Sequence, residues 1–226
     1  EGKTLTIDGS GLDSGSNDVK FTFDGSLEAD GSFVITTDGD DAHDITLGKK
    51  NDTYTGSGSG DTTITATGGV NTITTGSGAD TITTGSGADT ITTGSAADSI
   101  VGGAGADTIT TKGGGDSIDA GAGADIINPG EGADTVDAGS GKDQIDLTET
   151  TSQADILQLT TVYGSSSDSG RNTVTGDDND TGDDSVTGFR FGTDTILVTS
   201  TAVAGFAHAT DVMIGTATGD VDNGTV

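Results

Sequence analysis

Eight aspartates stand nine residues apart: Asp80, Asp89, Asp98, Asp107, Asp116, Asp125, Asp134 and Asp143. Each follows a run rich in Gly, Ala and Ser. Each is followed two places later by an aliphatic residue, in order Ile82, Ile91, Ile100, Ile109, Ile118, Ile127, Val136 and Ile145. A short carboxylate on a tight glycine-rich turn is an oxygen donor for a hard cation. Ca2+ suits such a site, because it takes about six to eight oxygens in irregular geometry. The chemistry predicted is therefore cation binding, repeated at a fixed interval.

The copies run unbroken from Thr75 to Asp146 as TGSGADTIT, TGSGADTIT, TGSAADSIV, GGAGADTIT, TKGGGDSID, AGAGADIIN, PGEGADTVD and AGSGKDQID. This period resembles the G-G-x-G-x-D-x-U-x nonapeptide of RTX proteins. The resemblance implies an all-β fold, a right-handed parallel β-roll (RTX β-solenoid) with flanking strand-rich regions. In such a roll G-x-G-x-D makes a turn and x-U-x a short strand. Two nonapeptides complete a coil, and residue n lies above residue n+18. Ile73, Ile91, Ile109, Ile127 and Ile145 would then line one wall, and Ile82, Ile100, Ile118 and Val136 the other.

The resemblance also implies the ligands: carboxylates of successive aspartates on one edge, such as Asp80 with Asp98 or Asp89 with Asp107, together with turn carbonyl oxygens. The glycines concerned are Gly76, Gly78, Gly85, Gly87, Gly103, Gly105, Gly121, Gly123, Gly130 and Gly132. Glycine is expected there for positive φ and for close approach of the backbone. Thr, Ala or Pro129 replaces the first glycine in most copies, Lys112 the second in one, and Ala96 the fourth in another. Weak sites are expected near Ala96 and Lys112. Asn71 at an acid place and Lys142 beside Asp143 predict that the ion rows fade at both ends.

The elements that must position these residues begin before the repeat. KTLTID, DVKFTF and SFVITT alternate as strands within a segment, 1–45, expected to lead into the roll. The phase runs backwards from Ile73 through Ile64, then Tyr54 with Asp52, then Ile45 with His43, as degenerate end repeats. The roll is expected over 46–146 and a different β region over 147–226. There, DSVTGFRFGTDTILV at 184–198 resembles segments that follow RTX repeats in proteins exported by type I secretion.

Composition narrows the function. Apolar residues make up 29 % and aromatics 4 % of the 226 residues, too little for a thick core. The formal charge of −29, from 33 Asp and four Glu against eight Lys and Arg, argues against nucleic acid and against direct contact with anionic membranes. No run of eighteen apolar residues could span a bilayer. The chain has no cysteine, which is compatible with an extracellular protein cross-linked by metal instead of disulfides. Glu1 starts in mid-pattern without a leader's basic and apolar regions, which suggests a segment of a longer or processed chain.

No G-x-S-x-G elbow, H-E-x-x-H helix or dinucleotide fingerprint occurs. GSGKD at 139–143 lacks the first glycine of a phosphate loop and has Asp143 where Ser or Thr belongs. His43 and His208 have no zinc-site spacing and are expected at the surface or in turns. The acidic run at 176–184 fails the EF-hand template and reads as a solvated loop. Catalysis is not expected.

The expected function is thus that of a secreted calcium-binding structural protein, a self-assembling segment of a bacterial surface layer (S-layer). Its expected partners are calcium ions, further copies of itself, and the type I secretion machinery during export. Two alternatives are the export and folding module of an RTX enzyme and a stiff spacer in a large adhesin.

Overall fold

A strand of three residues turns one side chain inward, so it can be stable only when strands above and below share a continuous core. The chain solves this by coiling. A computed structural model describes residues 2–11, 20–151, 153–160, 185–187 and 195–199. The strands in chain order are β1 (Thr4–Gly9), β2 (Phe21–Asp24), β3 (Ser32–Thr37), β4 (His43–Thr46), β5 (Thr53–Gly56), β6 (Thr62–Thr65), β7 (Thr72–Thr74), β8 (Thr81–Thr83) and β9 (Thr90–Thr92). They continue as β10 (Ser99–Val101), β11 (Thr108–Thr110), β12 (Ser117–Asp119), β13 (Ile126–Asn128), β14 (Thr135–Asp137), β15 (Gln144–Asp146), β16 (Ile156–Thr160), β17 (Ser185–Thr187) and β18 (Thr195–Thr199).

Odd-numbered strands form one 9-stranded sheet and even-numbered strands another. All pairing within them is parallel, as in β7 with β9 and β8 with β10. The chain crosses from one sheet to the other at every turn, so the fold is a parallel β-roll. Among the described residues there is no helix long and apolar enough to cross a membrane.

Register follows the repeat. Ile73 pairs with Ile91, Ile91 with Ile109, Ile109 with Ile127 and Ile127 with Ile145 in the first sheet. Ile82, Ile100, Ile118 and Val136 do the same in the second. These side chains are at most 3 % exposed and form one core two side chains wide. Their neighbours on either side point outward, which explains why Thr, with its β-branched preference for pleated surface, fills those places.

The sheets continue past both limits of the nonapeptide. Ile35 pairs with Tyr54 and Tyr54 with Ile73, while Phe23 pairs with Ile45 and Ile45 with Ile64. Segment 1–45 therefore supplies coils of the same roll, with larger side chains filling its end: Phe23 and Phe33 meet edge to face at 4.9 Å. On the other side β16 and β17 pair with β14 and β15, and β18 pairs with β16. In the coils that precede the nonapeptide, extra residues are taken up between strands, so the pairing register survives.

Candidate metal centre

Each repeat aspartate sits at the end of a turn, immediately before its strand. Turns from the first sheet to the second carry Asp80, Asp98, Asp116 and Asp134; turns back carry Asp89, Asp107, Asp125 and Asp143. The aspartates thus form two rows along opposite edges, each pairing n with n+18. They are at most 3 % exposed.

The carboxylate oxygens divide their tasks. On one edge the Asp80 N–H donates to Asp98 Oδ1, Asp98 N–H to Asp116 Oδ1 and Asp116 N–H to Asp134 Oδ1, each at 2.8 Å. On the other, Asp89 N–H donates to Asp107 Oδ1 at 2.8 Å, Asp107 N–H to Asp125 Oδ1 at 2.7 Å and Asp125 N–H to Asp143 Oδ1 at 2.9 Å. Oδ1 therefore satisfies a buried backbone donor on the preceding coil. Oδ2 of Asp80, Asp89, Asp98, Asp107, Asp116, Asp125 and Asp134 is buried with no hydrogen-bond partner. A single orphaned carboxylate oxygen is costly; a row of them calls for a positive partner. Hard, oxygen-seeking Ca2+ fits this donor set.

Electrostatics point the same way. Burial, foremost, raises the pKa of every one of these aspartates. Asp80 and Asp107 are pushed to about 6, with the charges of Asp98 and Asp89 respectively adding to the rise. Asp125 and Asp134 reach about 7, again by burial first and then by neighbouring carboxylates. The Thr residues that replace the first glycine soften the effect. Hydroxyls of Thr75, Thr84, Thr93 and Thr111 lie beside Asp80, Asp89, Asp98 and Asp116 and lower their pKa. At Asp125 and Asp134 that place holds Ala120 and Pro129, which have no hydroxyl to offer.

The glycines let the turns stack. A Cβ on Gly105 would lie 1.9 Å from Gly87 O, at φ +138°. Gly87, Gly103, Gly121, Gly130 and Gly132 share positive φ. Gly76 and Gly78 do not; close approach is their requirement, since a Cβ there would lie 2.3 and 2.4 Å from Gly58 O and Gly60 O. Carbonyl oxygens of Gly85, Gly103 and Gly121 accept N–H bonds from Ala104, Ala122 and Ser140, each at 2.8 Å, and each keeps one lone pair. Gly87, Gly105 and Gly123 donate their N–H groups to the next turn. The carboxylate ladder passes Ala96 and Lys112 unchanged.

The end of one row has its own chemistry. Asn71 Oδ1 accepts the Asp52 N–H at 3.0 Å, while its Nδ2 donates to Gly68 O and Gly69 O. Asp52 receives N–H groups from Phe33 and Gly48, one on each oxygen. This end of the row is therefore closed by hydrogen bonds alone.

Other residues depart from expectation. His43 is not at the surface: it lies in β4, 4 % exposed, with Phe21 edge-on at 6.3 Å. Its inward place in the even sheet fixes this, whatever the side chain. His208, the acidic run 176–184 and most of the 184–198 segment lie outside the described residues. Asp155 was not singled out by its sequence, yet it extends a row, accepting the Asp134 N–H on Oδ1 at 2.9 Å. Its signal was present: Asp155 and Leu157 keep the D-x-U phase, and Leu157 pairs with Val136.

A parallel β-roll with a buried carboxylate row on each edge is an all-β solenoid whose edges offer oxygen donors for a cation. Residues 56–91, 83–118, 92–127 and 110–145 match the RTX calcium-binding nonapeptide repeat, so the central part of this chain is an array of RTX repeats. No curated protein and no solved structure matches the chain.

Proposed function

We propose that this chain is a structural segment of a secreted bacterial surface layer, folded and stiffened by calcium and associating through it. The observation that carries the reading is the pair of rows of buried, unpartnered Oδ2 atoms. A carboxylate row of this kind is unfavourable alone and favourable once neutralised, so the fold is conditional on the ion. Bound calcium would supply the missing positive charge and accept the Asp oxygens with turn carbonyls. The Asp Oδ1 atoms meanwhile hold the coils in register, and the stacked glycines exclude bulk from the turns.

Nothing in the site constellation requires catalysis, and the role proposed is mechanical. Lateral association draws support from the surface charge: Asp119 and Asp137 pair in register on the outer side of the second sheet, and burial followed by the Asp137 charge raises the pKa of Asp119. Acidic faces of this kind repel one another until a divalent ion bridges them. Export would use the same switch. Repeats unfolded at low cytoplasmic calcium would pass a type I channel and fold outside, at an affinity of about 10⁻⁴ to 10⁻³ M.

The test is calcium titration of the chelator-treated chain, followed by far-ultraviolet circular dichroism and light scattering, with magnesium as control. A coil-to-β transition followed by large ordered particles supports the surface-layer role. Folding that stops at a monomer favours an export module or an adhesin spacer. A chain indifferent to calcium rejects the mechanism.

A further inference from the structure

The row on the Asp80 edge passes from the nonapeptide array into a cluster with two acids beyond it. One carboxylate oxygen from each of Asp134, Glu149 and Asp155 lies within 4.8 Å of the other two. Asp134 and Asp155 are the paired acids of adjacent coils, but 21 residues separate them where the interior pairs are 18 apart. The longer loop brings Glu149, one of four Glu in the chain, to the rung.

This arrangement is built. Glu149 Oε1 accepts the Gly132 N–H at 3.1 Å and Oε2 the Gln153 N–H at 2.9 Å, so its carboxylate is held from both coils. Glu131 clamps the loop beside it. Its Oε1 accepts Thr150 N–H at 2.7 Å and its Oε2 accepts Thr151 N–H at 3.1 Å, with both hydroxyls adding bonds at 2.6 and 2.7 Å. Asp134 is 1 % exposed; its Oδ1 is turned to the Asp116 N–H of the preceding coil, and its Oδ2 has no hydrogen-bond partner. A buried oxygen without a partner, beside two further carboxylates fixed by backbone donors, is the complement of a divalent cation.

We propose that Asp134, Glu149 and Asp155 form a calcium site that caps the nonapeptide array, distinct from the repeat sites in having three carboxylates, and that it binds more tightly than they do. The inference rests on the calcium reading of the rows. Affinity in all-oxygen calcium sites rises with the number of charged ligands and the rigidity of the cage. Interior rungs bring two Asp carboxylates together; this rung brings three. Glu131 acts as a positioning residue by tying down the loop.

Calorimetric titration of the full, chelator-treated chain with calcium chloride tests this, alongside bound calcium per chain measured after equilibrium dialysis. Glu149→Gln and Asp155→Asn keep one acceptor oxygen at the place of the original, and Asp98→Asn serves as an interior control. The cap predicts that Glu149→Gln weakens the tightest class by about tenfold or more. It also predicts one fewer ion at low free calcium, with the circular dichroism at saturating calcium unchanged. Asp98→Asn should spare the tightest class. Glu149→Gln and Asp155→Asn chains that titrate like the unaltered one, while Asp98→Asn loses ions, would overturn the cap alone. An unaltered chain that binds no calcium would overturn the cap and the rows together.

Discussion

Asp98 Oδ1 receives the backbone N–H of Asp80 from the preceding coil at 2.8 Å, while Asp98 Oδ2 is buried without a partner. One side chain thus combines two separable features, a cap for a neighbouring N–H and a buried oxygen free for the proposed ion. Removing either feature has a different signature.

Asp98→Asn retains an acceptor for Asp80 N–H and loses the charge, whereas Asp98→Ala loses both. In the calcium-free chain Asp98→Asn is expected to be neutral or stabilising at pH 7.5. Asp98→Ala should cost about 1–3 kcal/mol for the orphaned donor. With calcium both should raise the ion concentration needed for folding. Urea unfolding with and without calcium separates the two, and an Asp98→Asn chain destabilised without calcium would contradict the division of tasks.

Asn71 offers the reverse experiment. Its Nδ2 bonds to Gly68 O and Gly69 O would be lost in Asn71→Asp, which leaves an oxygen facing carbonyl oxygens. Calcium-free stability should fall by about 1–3 kcal/mol, and calcium should restore part of it. Unfolding midpoints at increasing calcium provide the measurement; equal losses at all concentrations would mean that the place cannot accept an ion.

Acid should substitute for calcium. In the calcium-free fold Asp80 and Asp107 titrate near 6 and Asp125 and Asp134 near 7, all above the ordinary 3.8. The folded state therefore holds protons that the unfolded chain releases. The resulting stabilisation is full below about pH 3.8 and is lost as pH rises through 6 to 7. Chelated protein should gain β-structure by circular dichroism between pH 7.5 and 5, and calcium affinity should fall over the same interval. A calcium-free chain that loses structure on acidification would reverse the sign assigned to these carboxylates.

Gly105→Ala tests the stacking of turns. Its Cβ would meet Gly87 O at 1.9 Å from a backbone at φ +138°. Strain at such a φ costs about 1–3 kcal/mol before the clash is counted, so the calcium-saturated chain should unfold at markedly lower urea. Gly113→Ala, whose Cβ would come no closer than 3.3 Å to Glu131 O, should be milder. Equal effects would mean that the turns are looser than their spacing indicates.

The repeat made the aspartate rows and the two aliphatic walls legible because a strict period assigns every residue a place in the coil. Ile73 through Ile145 could be stacked by counting alone. Counting failed where loops change length. Asp155 lies 21 residues beyond Asp134, so an eighteen-residue ruler misses it, and Glu149 enters the same rung from a loop held by the Gly132 N–H and by Glu131. His43 was misjudged for a related reason: its exposure depends on which way a strand position faces, which its residue type does not reveal.

By itself the sequence determined the period, the acid and aliphatic places, and the charge that makes an unneutralised roll unfavourable. Those properties depend on covalent spacing and residue chemistry. Only the tertiary structure decided that Oδ1 caps a neighbouring N–H while Oδ2 has none, that Asn71 closes its rung with its own amide, and that both flanks join the same two sheets. Each depends on contacts between coils, where a few tenths of an ångström and the facing of one side chain determine whether a buried polar atom finds a partner.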